Sequence, residues 1–222
     1  MNRSLAQRMF AEFLGTAFLV AAVIGSGIMG ERLAGGNTAI ALLANTLATG
    51  AALVALILAF GAISGAHFNP AVSMAEALDR RIPWPEALAY MAAQILGGFA
   101  GALAAHVMFG LPYFSLSQHV RSGPALVFSE FIATFGLLAV IRGTSRLGMQ
   151  AVAIAVAGWI TAAYWFTAST SFANPAVTIA RSFSDTFAGI RPIDAPFFLL
   201  AQIAGAVAAT FLFRWLGRRG ES

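Results

Sequence analysis

The chain has 222 residues, 59% of them hydrophobic and only 10% charged, with a formal net charge of +4. Soluble domains carry about a quarter charged residues, so this composition and a mean hydropathy of +0.80 exclude an ordinary soluble domain. The basic residues are scattered between apolar runs and form no patch, which argues against nucleic acid as a partner, and the lack of cysteine excludes disulfides and thiol catalysis.

Six apolar segments reach the span length of about 20 residues. The first covers roughly 7–29. Arg3 and Arg8 come before its apolar stretch as in a signal peptide, but that stretch, Met9 to Met29, is span-length and shows no small-residue cleavage site, so it reads as a retained span. The second covers 38–62 and runs into GAISGAHFNPAVSMAEALDRR, which contains Asn69-Pro70-Ala71-Val72. Asn is a favoured N-cap and Pro a favoured first helical residue, so this phrase reads as an abrupt helix start. Between Pro70 and Asp79 there is room for only ~15 Å of helix, about half of a ~30 Å hydrocarbon core. The third span follows at 84–108, then a polar connection, Phe109–Gly123, and spans at 124–142 and 149–168. The phrase returns as Asn174-Pro175-Ala176-Val177, opening a second half-helix over Pro175–Asp185 before a last span at 194–215.

The two halves repeat each other. AEFLGT at Ala11–Thr16 is echoed by SEFIAT at Ser129–Thr134, and AQILGGFAGA at Ala93–Ala102 by AQIAGAVAAT at Ala201–Thr210. Three spans per half is odd, so the second copy must sit upside down relative to the first. The expected fold is an all-α membrane protein of six transmembrane helices plus two half-helices. One channel domain covers 1–222, with inverted repeats at approximately 1–110 and 120–222. Half-helices entering from opposite faces meet at the midplane. Irregular backbone is tolerated there only when buried in protein or lining a watery cavity, so the repeated phrase predicts a pore. With both termini cytoplasmic, the inside set is Arg3, Arg8, Arg80, Arg81, Arg142, Arg146, Arg214, Arg218 and Arg219, and the outside set Arg32, Arg121, Arg181 and Arg191. That excess has the sign of the positive-inside rule.

These features resemble the aquaporin and aquaglyceroporin (major intrinsic protein) family. They are the paired Asn-Pro-Ala phrases, the His67-Phe68-Asn69 lead-in and the echoed Glu12 and Glu130. The stretch TSFANPAVTIARSFSDTFAG is similar to a bacterial branch associated with arsenic resistance. The resemblance implies a homotetramer with one pore per subunit, in a plasma membrane contacting lipid. It also implies that Glu12 and Glu130 brace the half-helix loops by accepting their N–H groups, rather than carrying protons. An ionisable group inside a span needs such a partner.

If Asn69 and Asn174 are N-caps, their side-chain oxygens serve their own helices and their NH2 groups are left to donate to a passing water or alcohol. Two helix N-termini meeting there oppose cations and protons. Most of the family places an Arg three residues after the second Asn, where this chain has Val177. Arg181 comes four residues later, on the same helical face and about 6 Å further along the axis. It either leans back into the pore or lies in the vestibule, solvated or paired with Asp185. By spacing, the other selectivity-filter positions fall on Thr49, Ala162 and Ser171. These small residues imply a wide, weakly polar ring. The expectation is a passive channel for glycerol-like polyols, undissociated metalloid acids such as arsenous acid, and water. The alternatives are a mainly water-selective channel or a secondary transporter.

His67 is expected to line the pore, with a pH gate as the alternative. His106 and His119 receive no role. Gly97 with Gly101, and Ala201, Gly205 and Ala209, are expected to permit close helix packing. Aromatic residues are read as lipid-facing or packing, with interface anchors among Trp84, Trp159, Trp165 and Trp215. No Ser/His/Asp arrangement, metal-ligand cluster or phosphate loop is found, so neither an enzyme, a metal site nor a cofactor is expected.

Overall fold

The apolar runs become helices whose starts are set by capping chemistry. The structure, a computed structural model, describes residues 3–217; Arg218 and Arg219 of the inside set lie outside the described residues. Ser4 and Gln7 form a reciprocal capping box that opens α1, Leu5–Leu33. The Asn37 side chain accepts from Ala39 and Ile40 N–H to open α2, Thr38–Ser64, which ends on Gly65 at φ 90°. Asn69 caps the half-helix α3, Pro70–Leu78. Next come α4, Trp84–Met108, α5, Pro124–Thr144, and α6, Met149–Phe166. Asn174 caps the half-helix α7, Pro175–Arg181, and α8 covers Ala195–Leu216. Six of these helices are long and apolar enough to cross a membrane, and no strand occurs among the described residues.

The second half-helix stops at Arg181, four residues short of the Asp185 expected from sequence. The reason lies in the connection between α4 and α5. Ser115 N–H donates to the Phe183 carbonyl and Ser117 N–H to the Ser182 carbonyl, drawing the chain out of the helical path. What remains of α7 is only about 10 Å long.

Each half packs as the repeat requires. Helix α1 lies against α2 and α4, α5 lies against α6 and α8, and α2 meets α6 across the repeat interface. Both half-helices sit between α4 and α8. A Cβ on Gly97 would fall on the Phe13 carbonyl, one on Gly101 on the Ala17 carbonyl, and one on Gly205 on the Phe131 carbonyl. Backbones therefore approach backbones at α1–α4 and α5–α8, as the glycine spacing implied. Trp159 is not an interface anchor: its indole N–H donates inward to the Ala133 carbonyl at 2.9 Å. Trp84, Trp165 and Trp215 are exposed.

Ion pairs gather four arginines of the inside set, Arg8, Arg81, Arg142 and Arg214, at one end. Arg142 reaches Glu76 at 2.6 Å and Asp79 at 2.7 Å. Asp79 also pairs with Arg214, Arg81 lies 3.7 Å from Glu76, and Arg8 pairs with Glu86. Arg142 additionally donates to the Ala75 carbonyl, and Arg214 to that of Leu78. Cations on its last carbonyls suit the dipole of α3.

Candidate functional site

The lead-in to each half-helix is built on left-handed residues. Ala66 and Phe68 have φ of 51° and 48°, and Ser171 and Ala173 have φ of 51° and 49°. Non-glycine residues adopt this conformation at a cost of order 1–3 kcal/mol each, so something must hold them. Two buried carboxylates do so. Glu12 accepts from the N–H groups of His67 at 3.0 Å and Phe68 at 2.6 Å, and from Ser64 Oγ and Gln94 Nε2. Glu130 accepts from Phe172 N–H at 2.8 Å, Ala173 N–H at 2.9 Å and Gln202 Nε2. Because a trans peptide points its N–H and C=O in opposite directions, the preceding carbonyls turn away from the carboxylate, toward the cavity these loops line. Gln94 and Gln202 complete the frame by donating to Ser73 Oγ and Thr178 Oγ1. The sequence reading missed this pair, although each sits second in the repeated Ala-Gln-Ile.

The half-helices meet tip to tip, and the asparagines fasten the junction. Asn69 Oδ1 accepts from Ala71 N–H, and Asn174 Oδ1 accepts from Ala176 and Val177 N–H. Each amide also reaches across. Asn69 Nδ2 donates to the Ala173 carbonyl and Asn174 Nδ2 to the Phe68 carbonyl, both at 2.8 Å. One N–H of each NH2 is thus committed to the opposite loop. One is left for a passing oxygen, rather than the two implied by an uncommitted amide.

A cavity of about 300 Å³ passes both asparagines. On α6 its wall includes Met149, Val152, Val156, Ile160 and Tyr164, a stripe of about 22 Å along the helix axis. Glu76 and Ser145 lie with Met149 at one end, and Thr49, Tyr164 and Arg181 at the other. His67 also lines it, its Nδ1 3.0 Å from Ser73 Oγ and its ring edge-on to Tyr90.

Of the filter positions inferred by spacing, Thr49, Ser171, Val177 and Arg181 line the cavity. Ala162 does not. It is exposed on the outer face of α6, because the pore stripe passes through Ile160 and Tyr164, and a residue two steps from either points away. Tyr164 occupies this part of the wall instead, with its hydroxyl 3.3 Å from Thr49 Oγ1. Ser171 Oγ is buried without a protein partner.

Arg181 is buried, and the vestibule pairing with Asp185 is not formed. Asp185 instead accepts from Gln118 N–H. The Arg181 guanidinium lies 3.3 Å from the Phe172 ring centroid and its Nε donates to the Ala188 carbonyl. Arg121, assigned to the outside by charge counting, is also buried, 5.1 Å from the same ring centroid. Burial pushes its guanidinium down to about 10, which leaves it charged at neutral pH. Sequence carried no signal for this contact, since Arg121 lies in the long connection and Phe172 resembles any packing aromatic.

Six spans, two half-helices joined at their tips and a cavity running past that junction define a membrane channel for small uncharged solutes. A family model described as "Major intrinsic protein" matches residues 1–147 and 141–220. The chain is 55% identical to "Aquaglyceroporin AqpS" of Rhizobium meliloti (strain 1021), covering 96% of this chain and 91% of that one. It is 31% identical to "Aquaporin NIP1-4" of Oryza sativa subsp. japonica, covering 100% and 81%. An X-ray structure of the aquaglyceroporin from Plasmodium falciparum shares the fold, with a TM-score of 0.75 at 22% identity over 96% and 95% of the two chains. The chain belongs to the major intrinsic protein family.

Proposed function

We propose that this channel passes glycerol-like polyols and undissociated metalloid acids such as arsenous acid, together with water, down their gradients. The observation carrying this reading is the composition of the cavity wall near Thr49. It bears hydroxyls from Thr49, Tyr164 and Ser171, the small side chain of Val177, and a guanidinium held to one side. Further along, one wall is continuously apolar, from Leu53 and Ile57 on α2 to Val156 and Ile160 on α6, opposite the loop carbonyls and asparagines. A solute with hydroxyls on one side and C–H groups on the other meets a partner on each. The 55% identity to a protein named an aquaglyceroporin supports the same reading.

The protein works as a multi-pass channel of a bacterial inner membrane, both termini cytoplasmic, with Glu76, Asp79 and their arginines at the cytoplasmic end. It assembles as a homotetramer with a pore in each subunit. Thr49, Ser171, Val177 and Arg181 form the outer filter, His67 lines the inner half, and Glu12 and Glu130 act as braces. The test is uptake of glycerol and of arsenous acid into proteoliposomes holding the purified protein. Flux is expected to rise linearly with the gradient and to ignore an imposed proton gradient. Saturation at low solute, or uptake following protons, would point to a secondary transporter.

A further inference from the structure

We infer that Arg121 is a positioning residue for the outer constriction, holding Arg181 at the pore wall through Phe172 and the segment Phe187–Gly189. This rests on the reading that the constriction selects solutes, and adds how its cation is kept in place. Three successive carbonyls carry the argument. Arg121 Nε donates to the Gly189 carbonyl at 2.7 Å and its NH2 group to the Phe187 carbonyl at 3.4 Å. The carbonyl between them, that of Ala188, accepts from Arg181 Nε. Arg121 thus fixes the two flanking peptides, and the intervening one is presented to Arg181. The Arg121 guanidinium also donates to the Ser169 carbonyl and to Thr170 Oγ1, so it spans both flanks of α7, while the Arg121 backbone N–H donates to Asp194.

Phe172 supplies the second hold. Both guanidinium groups lie over its ring, and Phe198 meets it edge-on at 5.2 Å. No carboxylate pairs with Arg181 among the described residues, and none of them accepts from its two terminal nitrogens. A carboxylate would hold the cation by occupying those nitrogens. An aromatic face holds it while leaving them free to meet a solute oxygen. Placing two like charges near one ring is costly, and the carbonyls around Arg121 offset that cost without supplying an acid that would compete for Arg181.

The test compares wild type, Arg181→Gln, Arg121→Gln, the double variant and Phe172→Leu in proteoliposomes, reading the ratio of glycerol to water permeability and the proton leak. A general loss of folded channel lowers both permeabilities together and leaves their ratio unchanged. Arg181→Gln is expected to raise the ratio and the leak by about threefold or more, the lower end of the range for one cation–π contact. Arg121→Gln should do the same, and the double variant should add nothing beyond Arg181→Gln. Phe172→Leu keeps the carbonyl bonds and should shift both readouts in the same direction, which covers an Arg121→Gln protein that fails to fold. An unchanged ratio and leak in Arg121→Gln, or in Phe172→Leu if the former does not fold, would overturn the assignment. So would a double variant whose effect is the product of the singles. If wild type itself excludes glycerol, the polyol reading fails while the proton leak still decides the role of Arg121.

Discussion

Glu12→Ala is expected to remove more than about 4 kcal/mol of stability and to leave little folded protein in detergent. The Glu12 side chain is fully buried and accepts four hydrogen bonds, from Ser64, His67, Phe68 and Gln94. Alanine orphans all four donors, each at about 1–3 kcal/mol when buried, in a medium without water to replace the carboxylate. It also releases the left-handed pair Ala66 and Phe68, whose conformation aims the loop carbonyls at the pore. Glu12→Gln should be milder but still destabilising, because its NH2 group must face donors where an oxygen now accepts. The check is thermal unfolding followed by monodisperse elution. A Glu12→Gln protein as stable as wild type but altered only in proton movement would show that Glu12 carries protons and is not a brace.

Val177→Arg is expected to reduce glycerol flux on the order of tenfold, about 1.4 kcal/mol on the barrier, while water still passes. Val177 is buried in the wall of the cavity, on the half-helix face that carries Arg181 one turn later. A long guanidinium there would project toward the hydroxyls of Thr49, Tyr164 and Ser171 and narrow the opening. It would also face the charge of Arg181, raising the barrier to cations. The measurement is stopped-flow flux per incorporated channel, with water and glycerol recorded on the same vesicles. Unchanged glycerol flux would mean that Val177 does not border the constriction.

What was legible in the sequence follows from what is local. The spans are long apolar runs, and α4 begins and ends at the residues its hydropathy marks, Trp84 and Met108. The half-helix starts were equally plain, because Asn followed by Pro caps a helix whatever surrounds it. Glu12 and Glu130 stood out as acids in apolar spans at matching places in a repeat. The end of α7 was hidden, since it depends on Ser115 and Ser117 from a connection some 65 residues earlier in the chain. Ala162 was misplaced because counting back from Asn174 crosses the loop 167–173, whose turns break the helical phase. The apolar stripe of α6 continued through Tyr164 and held the better signal. Arg121 could not have been placed, because its guanidinium is held mainly by backbone carbonyls, which no side-chain pattern announces.

The most direct measurement is shrinkage and reswelling of proteoliposomes on mixing with hyperosmotic glycerol, with a pH-sensitive dye inside. Fast shrinkage from water efflux, then reswelling well ahead of protein-free vesicles and without a pH change, is the expected result. Fast shrinkage with no reswelling beyond that of bare lipid would contradict a wide pore lined by Thr49, Tyr164, Ser171 and Val177.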